Sequence, residues 1–134
     1  TFHGPGQLVV YPIFDLDNFG IGTARFVEIL EEAVMNSLKH FGITSDRLPG
    51  AAGIWVNQST FPKKVCAIGI KVSRHITMHG IAININTDLA WFSKIVPCGL
   101  QDKGVTSIAE LTGKVYALNE IESVFLEELK KLLQ

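Results

Sequence analysis

The sequence is poor in most of what would mark a specialised class. Its 134 residues hold two cysteines, Cys66 and Cys98. That is too few for a disulfide scaffold, and each lies in an aliphatic run, so reduced thiols in an intracellular protein are expected. The 12 basic side chains are outnumbered by 13 acidic ones, for a formal charge of −1. The basic excess of a nucleic-acid or anionic-membrane surface is missing, and neither partner is expected. Apolar stretches such as residues 7–14 fall far short of the roughly 20 residues of a membrane span. No Gly-x-x-x-x-Gly-Lys-Ser/Thr, Gly-x-Gly-x-x-Gly or Gly-x-Ser-x-Gly pattern occurs, which excludes the usual phosphate loops and the serine nucleophile elbow. No Cys-x-x-Cys spacing occurs either, and no metal site is expected. Signal and transit segments are missing too. The chain opens without Met on Thr1-Phe2-His3-Gly4-Pro5-Gly6. That reads as the middle of a functional loop, and a fragment is expected.

What is present suffices for one domain with a real core: 47% of residues are hydrophobic and 19% charged, spread without repeats or linkers. Residues 7–13 (QLVVYPI) are rich in β-branched and aromatic types and read as a strand. From Thr23 to Phe41 apolar residues recur every three or four, including Phe26, Leu30, Val34 and Leu38. This spacing predicts an amphipathic helix stopped by Gly42, with Glu28, Glu31, Glu32, Asn36 and Lys39 on its solvated face. Strands are predicted at 52–56, 64–73 and 79–86, the last two paired as a hairpin through 74–78. In the last strand Ile81, Ile83 and Ile85 share one face, and Ala82, Asn84 and Asn86 the other. Asp88 is placed to cap a short helix through Ile95, ended by Pro97. Ser107–Glu110 and Asn119–Glu122 resemble capping boxes. The second would start a terminal helix that buries Ile121, Val124, Phe125, Leu129 and Leu132. The fold class is α+β, a mixed and mostly antiparallel sheet flanked by helices.

Three groups could carry chemistry. Cys98 sits between Pro97 and Gly99, at a corner where backbone flexibility can present a thiol to a ligand; the alternative is a small buried hydrophobe. Cys66 fits the buried reading better, inside its alternating strand. Lys64 is by default a surface lysine, but from a strand end it can reach over a pocket floor as cation and proton donor. His3 and His79 each precede glycines that let backbone amides approach a bound acyl group closely. His40 reads as a helix-terminal surface residue.

Taken together, several segments resemble one family. Thr1-Phe-His-Gly-Pro-Gly-Gln-Leu-Val-Val-Tyr-Pro12 is similar to the signature loop and strand of the lipoyl(octanoyl) transferases. Lys64-Val-Cys-Ala-Ile-Gly-Ile-Lys71, His79-Gly-Ile-Ala-Ile-Asn84, Asp88-Leu-Ala-Trp-Phe92, Ile95-Val-Pro-Cys-Gly99 and Gly104-Val-Thr-Ser107 follow in the family's order. The resemblance runs over nearly the whole chain.

It implies a fold of the biotin/lipoate protein ligase type and an octanoyltransferase catalytic domain over 1–134. That domain would be N-terminally incomplete, because family members carry an Arg-Gly-Gly segment and further strands before the position of Thr1. Such enzymes take an octanoyl group from the phosphopantetheine thioester of acyl carrier protein. They pass it to a lysine of lipoyl domains, in 2-oxoacid dehydrogenase E2 subunits, or of the glycine-cleavage H protein. Carried over by motif, Cys98 would form the acyl-thioester and Lys64 would lower its pKa and shuttle protons. Thr1, Phe2 and His3 would end the substrate loop. Ala67, Ile68 and Gly69, with Gly80, Ile81 and Ala82, would line the acyl pocket, and His79 is a further candidate. No cofactor is implied, since the octanoyl-phosphopantetheine arrives on its carrier.

Two other readings are kept beside this one: an ATP-dependent lipoate or biotin ligase, and a non-catalytic acyl- or protein-binding fragment. Lys63, Lys71, Arg74 and His75 form a basic cluster in sequence that is expected to dock the acidic carrier. Residues 57–62 read as a tolerated loop insertion. Arg74-His-Ile-Thr resembles mitochondrial members, which slightly favours a mitochondrial over a bacterial cytoplasmic location.

Overall fold

The computed structural model describes residues 3–57, 59–94 and 102–134. Among them, strands β1 (Gln7–Val10), β2 (Asp46–Leu48), β3 (Ala51–Val56), β4 (Lys63–Ser73), β5 (Ile76–Asn84) and β6 (Gly104–Val105) form one sheet. Its order is β1-β5-β4-β3-β2, antiparallel throughout, and β6 adds to β4 as the one parallel pair. Helices α1 (Thr23–Lys39), α2 (Ile108–Thr112) and α3 (Leu118–Leu133) complete the α+β architecture.

The apolar periodicity of α1 buries Phe26, Leu30, Val34 and Leu38, which join Ile121, Phe125 and Leu129 of α3 and the strand residues Cys66, Ile81 and Ile83 in one core. Each such large side chain contributes roughly 1.5–3 kcal/mol by leaving water. Ile85 belongs to the same core, so the predicted isoleucine face of the last strand is the helix-covered one. On the opposite face Asn84 is buried and Asn86 half-buried, and both are hydrogen-bonded. Asn84 donates to the Thr106 carbonyl at 3.1 Å and accepts from Gln7 at 2.9 Å. Asn86 bonds both backbone groups of Tyr116.

Several boundaries differ from the sequence expectation, each for a local reason. The first strand stops at Val10 instead of Ile13. Beyond Pro12, which has no N–H, the Thr77 hydroxyl takes over the pairing, donating to the Pro12 carbonyl at 2.6 Å and accepting from Phe14 N–H at 2.7 Å. Helix α1 ends at Lys39, two residues before Phe41, and Gly42 follows at φ +77. The hairpin is tighter than 74–78. Ser73 pairs with Ile76, so only Arg74 and His75 turn, at φ +52 and +68. Two left-handed residues give the twist a two-residue hairpin needs, without the Asn-Gly that usually announces it. In consequence β5 begins at Ile76 and ends at Asn84.

The capping boxes fare differently. Ser107 does cap α2 through Glu110 N–H at 3.1 Å, but the Glu110 carboxylate accepts from the Thr106 hydroxyl instead of reaching back to the cap amide. Asn119 caps nothing: α3 already starts at Leu118, with Ala117 at its N-cap position. Val124 and Leu132 are only partly buried. Asp88 accepts from Ala90 N–H at 3.0 Å at the start of a 3-10 turn, Leu89–Lys94. Ile95 and Pro97 lie outside the described residues.

The basic cluster expected from sequence does not form one patch. Lys63 opens β4 and Lys71 lies eight residues along it, about 26 Å away at strand rise. Arg74 and His75 sit at the far turn, where His75 Nδ1 is 3.5 Å from Asp17 Oδ1.

Candidate functional site

On the sheet face away from α1 and α3, β4 and β5 floor a groove of about 470 Å³. Ala67 and Gly69 lie in register with Ala82 and Gly80 and make its bed, and Ile68 and Ile81, whose side chains pack to the core, line it between them. His3, Tyr11, Lys64, Lys71 and His79 stand around it. The structure therefore brings nine of the sequence-derived candidates to one place: His3, Lys64, His79 and the six floor residues. Thr1, Phe2 and Cys98 lie outside the described residues.

Lys64 reaches the groove because β4 is irregular. Cys66 pairs with Ile54 but Lys64 pairs with Trp55, so one extra residue, Val65, is inserted opposite β3. Such a bulge re-aims the residues beyond it. Simple alternation from Cys66, Ile68 and Ile70, which face the core, would have pointed Lys64 at the helices. The ammonium instead lies over the Trp55 ring, 5.1 Å from its centroid. Burial pushes the Lys64 pKa down, Cys66 opposes that shift, and the neighbouring Lys103 adds to it. Lysine at such a site holds its proton less firmly than one in water, the direction that favours its giving the proton up.

His79 is held at φ +63 within β5. That conformation turns the imidazole to the groove, edge-on to Tyr11 at 6.2 Å between centroids. The His3 loop is tied down from inside: Gly4 N–H donates to Gln7 Oε1 at 3.1 Å, and Gln7 Nε2 donates to Asn84 Oδ1 at 2.9 Å.

Cys66 is fully buried, as its place in the strand suggested, and burial pushes its thiol far above the ordinary range. It is no nucleophile in this state. Among the described residues no group of three or more His, Cys, Asp or Glu side chains converges as a metal site, and no helix is long and apolar enough to cross a membrane.

Sequence reasoning missed Tyr11, Trp55 and Lys103 as neighbours of the site, and gave Lys71 a different role. Lys71 was within reach, since it continues the period-two series of Ala67 and Gly69. Trp55 and Lys103 gave no signal, because their closeness to Lys64 depends on the bulge and on the parallel pairing of β6.

Residues 1–130 match the family described as the lipoyl protein ligase A/B catalytic domain. The octanoyltransferase of Christiangramia forsetii is 46% identical over 136 residues, covering 100% of this chain and 58% of that protein. That of Bacteroides fragilis (strain YCH46) is 46% identical over 130 residues, covering 96% of this chain and 59% of the relative. The chain thus spans somewhat over half the length of these relatives. Among solved structures, a biotin protein ligase from Aquifex aeolicus superposes with a TM-score of 0.72 at 21% identity, over 96% of this chain and 53% of that one. A bipartite lipoate protein ligase from Thermoplasma acidophilum gives 0.71 at 17% identity, over 98% and 52%. At such identities the likeness is one of fold.

Proposed function

We propose, for a chain that belongs to the lipoyl protein ligase A/B catalytic-domain family, that its work is octanoyl transfer in lipoate biosynthesis. The observation that carries this reading is the groove: an apolar bed on β4 and β5 with a half-buried lysine that has no carboxylate partner among the described residues. The 46% identity to proteins named octanoyltransferase supports the choice of acyl group. An alkyl chain laid on the bed gains about 0.8 kcal/mol for each CH₂ removed from water.

In this reading the Cys98 thiolate attacks the carbonyl carbon of an octanoyl thioester on the phosphopantetheine arm of acyl carrier protein. The carbon–sulfur bond to the arm breaks, and the departing thiolate takes a proton from Lys64. The ε-amine of a lysine on a lipoyl domain, or on the glycine-cleavage H protein, then attacks the acyl-enzyme. Its proton returns to Lys64 as Cys98 leaves. Thioester exchange preserves the activation of the acyl group, so no nucleotide enters the balance. Backbone amides near Gly69 and Gly80 supply stabilisation for the oxyanion. Bacterial relatives favour the cytoplasm over the mitochondrion as the place of action. The Arg74-His75 pair that resembled mitochondrial members is the hairpin turn itself, a position governed by local geometry.

Intact-protein mass spectrometry after mixing with octanoyl-acyl carrier protein, without ATP, tests this. An octanoyl adduct is expected, and it should vanish in Cys98→Ser. A folded sample that takes up no octanoyl group, or keeps it without Cys98, would count against the reading. The ligase alternative rests on fold neighbours such as the Aquifex aeolicus biotin protein ligase in complex with biotin and ATP. Transfer from free octanoate only in the presence of ATP would favour it.

A further inference from the structure

The geometry assigns Gly53 and Trp55 to the positioning of the Lys64 side chain. The consequence for catalysis rests on the octanoyl-transfer reading; the placement itself does not.

Lysine carries a long stem with several rotatable bonds, and on an open sheet face it would sweep through solvent. Two contacts prevent this. A Cβ built on Gly53 would meet Lys64 Cε at 3.2 Å and Cδ at 3.3 Å, so the stem runs through the space that a side chain at 53 would fill. The same Cβ would lie 2.6 Å from the Cys66 carbonyl oxygen, and Gly53 sits at φ +105, so the position admits glycine alone without rearrangement. At the other end the ammonium rests 5.1 Å from the centroid of the Trp55 ring. That ring is itself fixed: it is 4% exposed, and its indole N–H donates to the Ala52 carbonyl at 3.2 Å.

The two residues therefore act on different parts of one side chain. Gly53 opens the channel for the methylenes, and Trp55 offers a π-face to the charge that burial strips of water. A desolvated ammonium gains most from such a face. With the bulge at Val65 aiming the backbone, these contacts hold the amine at the groove instead of leaving its position to the rotamers of a free lysine.

Proton–carbon correlation spectra of protein labelled at the lysine Cε test the placement directly. In the wild type the Lys64 Cε protons are expected upfield of those of the other lysines, shifted by the indole ring current. Trp55→Leu should return them to the common lysine position, and Trp55→Phe should keep most of the shift. In transfer from octanoyl-acyl carrier protein, Trp55→Leu should lower kcat about tenfold with KM little changed, and Trp55→Phe should recover most of that loss. Lys64 resonances that coincide with the other lysines in the wild type would overturn the inference without any variant. So would a Trp55→Leu spectrum in which they stay put. A ring-current shift that behaves as expected in a protein that forms no octanoyl adduct would leave the placement standing and remove the transfer reading instead.

Discussion

The carbonyl oxygen of Val10 stands where a side chain on Gly80 would have to be. A Cβ there would also lie 2.8 Å from Pro12 Cδ. Gly80 is therefore the residue that lets β1 close against β5 beside the groove. Gly80→Ala must push one strand off the other, since neither obstacle is the free end of a flexible chain. We expect a loss of about 3 kcal/mol, the upper end of overpacking costs, read as a lower urea midpoint at unchanged slope. A variant as stable as the wild type would mean that β1 contributes little to the fold.

Asn84 joins three segments through one side chain: Gln7 of β1, the Thr106 carbonyl before α2, and through Gln7 the Gly4 amide of the His3 loop. All the side-chain atoms involved are shielded from water. Asn84→Ala strands the Gln7 amide and the Thr106 carbonyl, at about 1–3 kcal/mol for each group left unsatisfied. Thermal or urea unfolding should show a loss of about 2–6 kcal/mol for the two groups together, and hydrogen exchange at Gly4 should quicken. Unchanged exchange at Gly4 would separate the loop from this network.

The depressed pKa of Lys64 makes a signed prediction. Between its lowered folded value and the ordinary 10.5, the unfolded chain binds more protons at this site than the folded one. Stability therefore rises with pH across that window. Lys64→Met keeps a similar stem without the charge, so it should be more stable than the wild type at neutral pH, and the gap should close as the pH nears 10.5. Urea titrations of both proteins over that range measure it. A gap independent of pH would show that the ammonium is not held away from water.

How much of this was legible depended on the length of each pattern. α1 and α3 span several turns, and β4 and β5 alternate over many residues, so periodicity located them. β2 and β6 have three and two residues, too few to show any period. The start of β5 was hidden because Arg74 and His75 adopt left-handed turn conformations that their types do not advertise. At the site, ordered motifs named the floor residues, which then met across the β4–β5 register. The extra residue at Val65 was invisible, and with it the reason Lys64 leaves the core face for Trp55. Tyr11 was missed because it comes from the segment after β1, brought to His79 only by strand pairing.

The place of β1 in the sheet sets an order of assembly. Gln7 meets Asn84 across 77 positions of sequence, whereas β4 and β5 join through a two-residue turn. Loop closure favours the near pairing first and the distant one last. During synthesis at roughly 5–20 residues per second, β1 leaves the ribosome about 4–15 s before its partner strand. For that interval the Leu8-Val9-Val10-Tyr11 stretch waits for its β5 partner, and an apolar strand left waiting is one that needs shelter from aggregation.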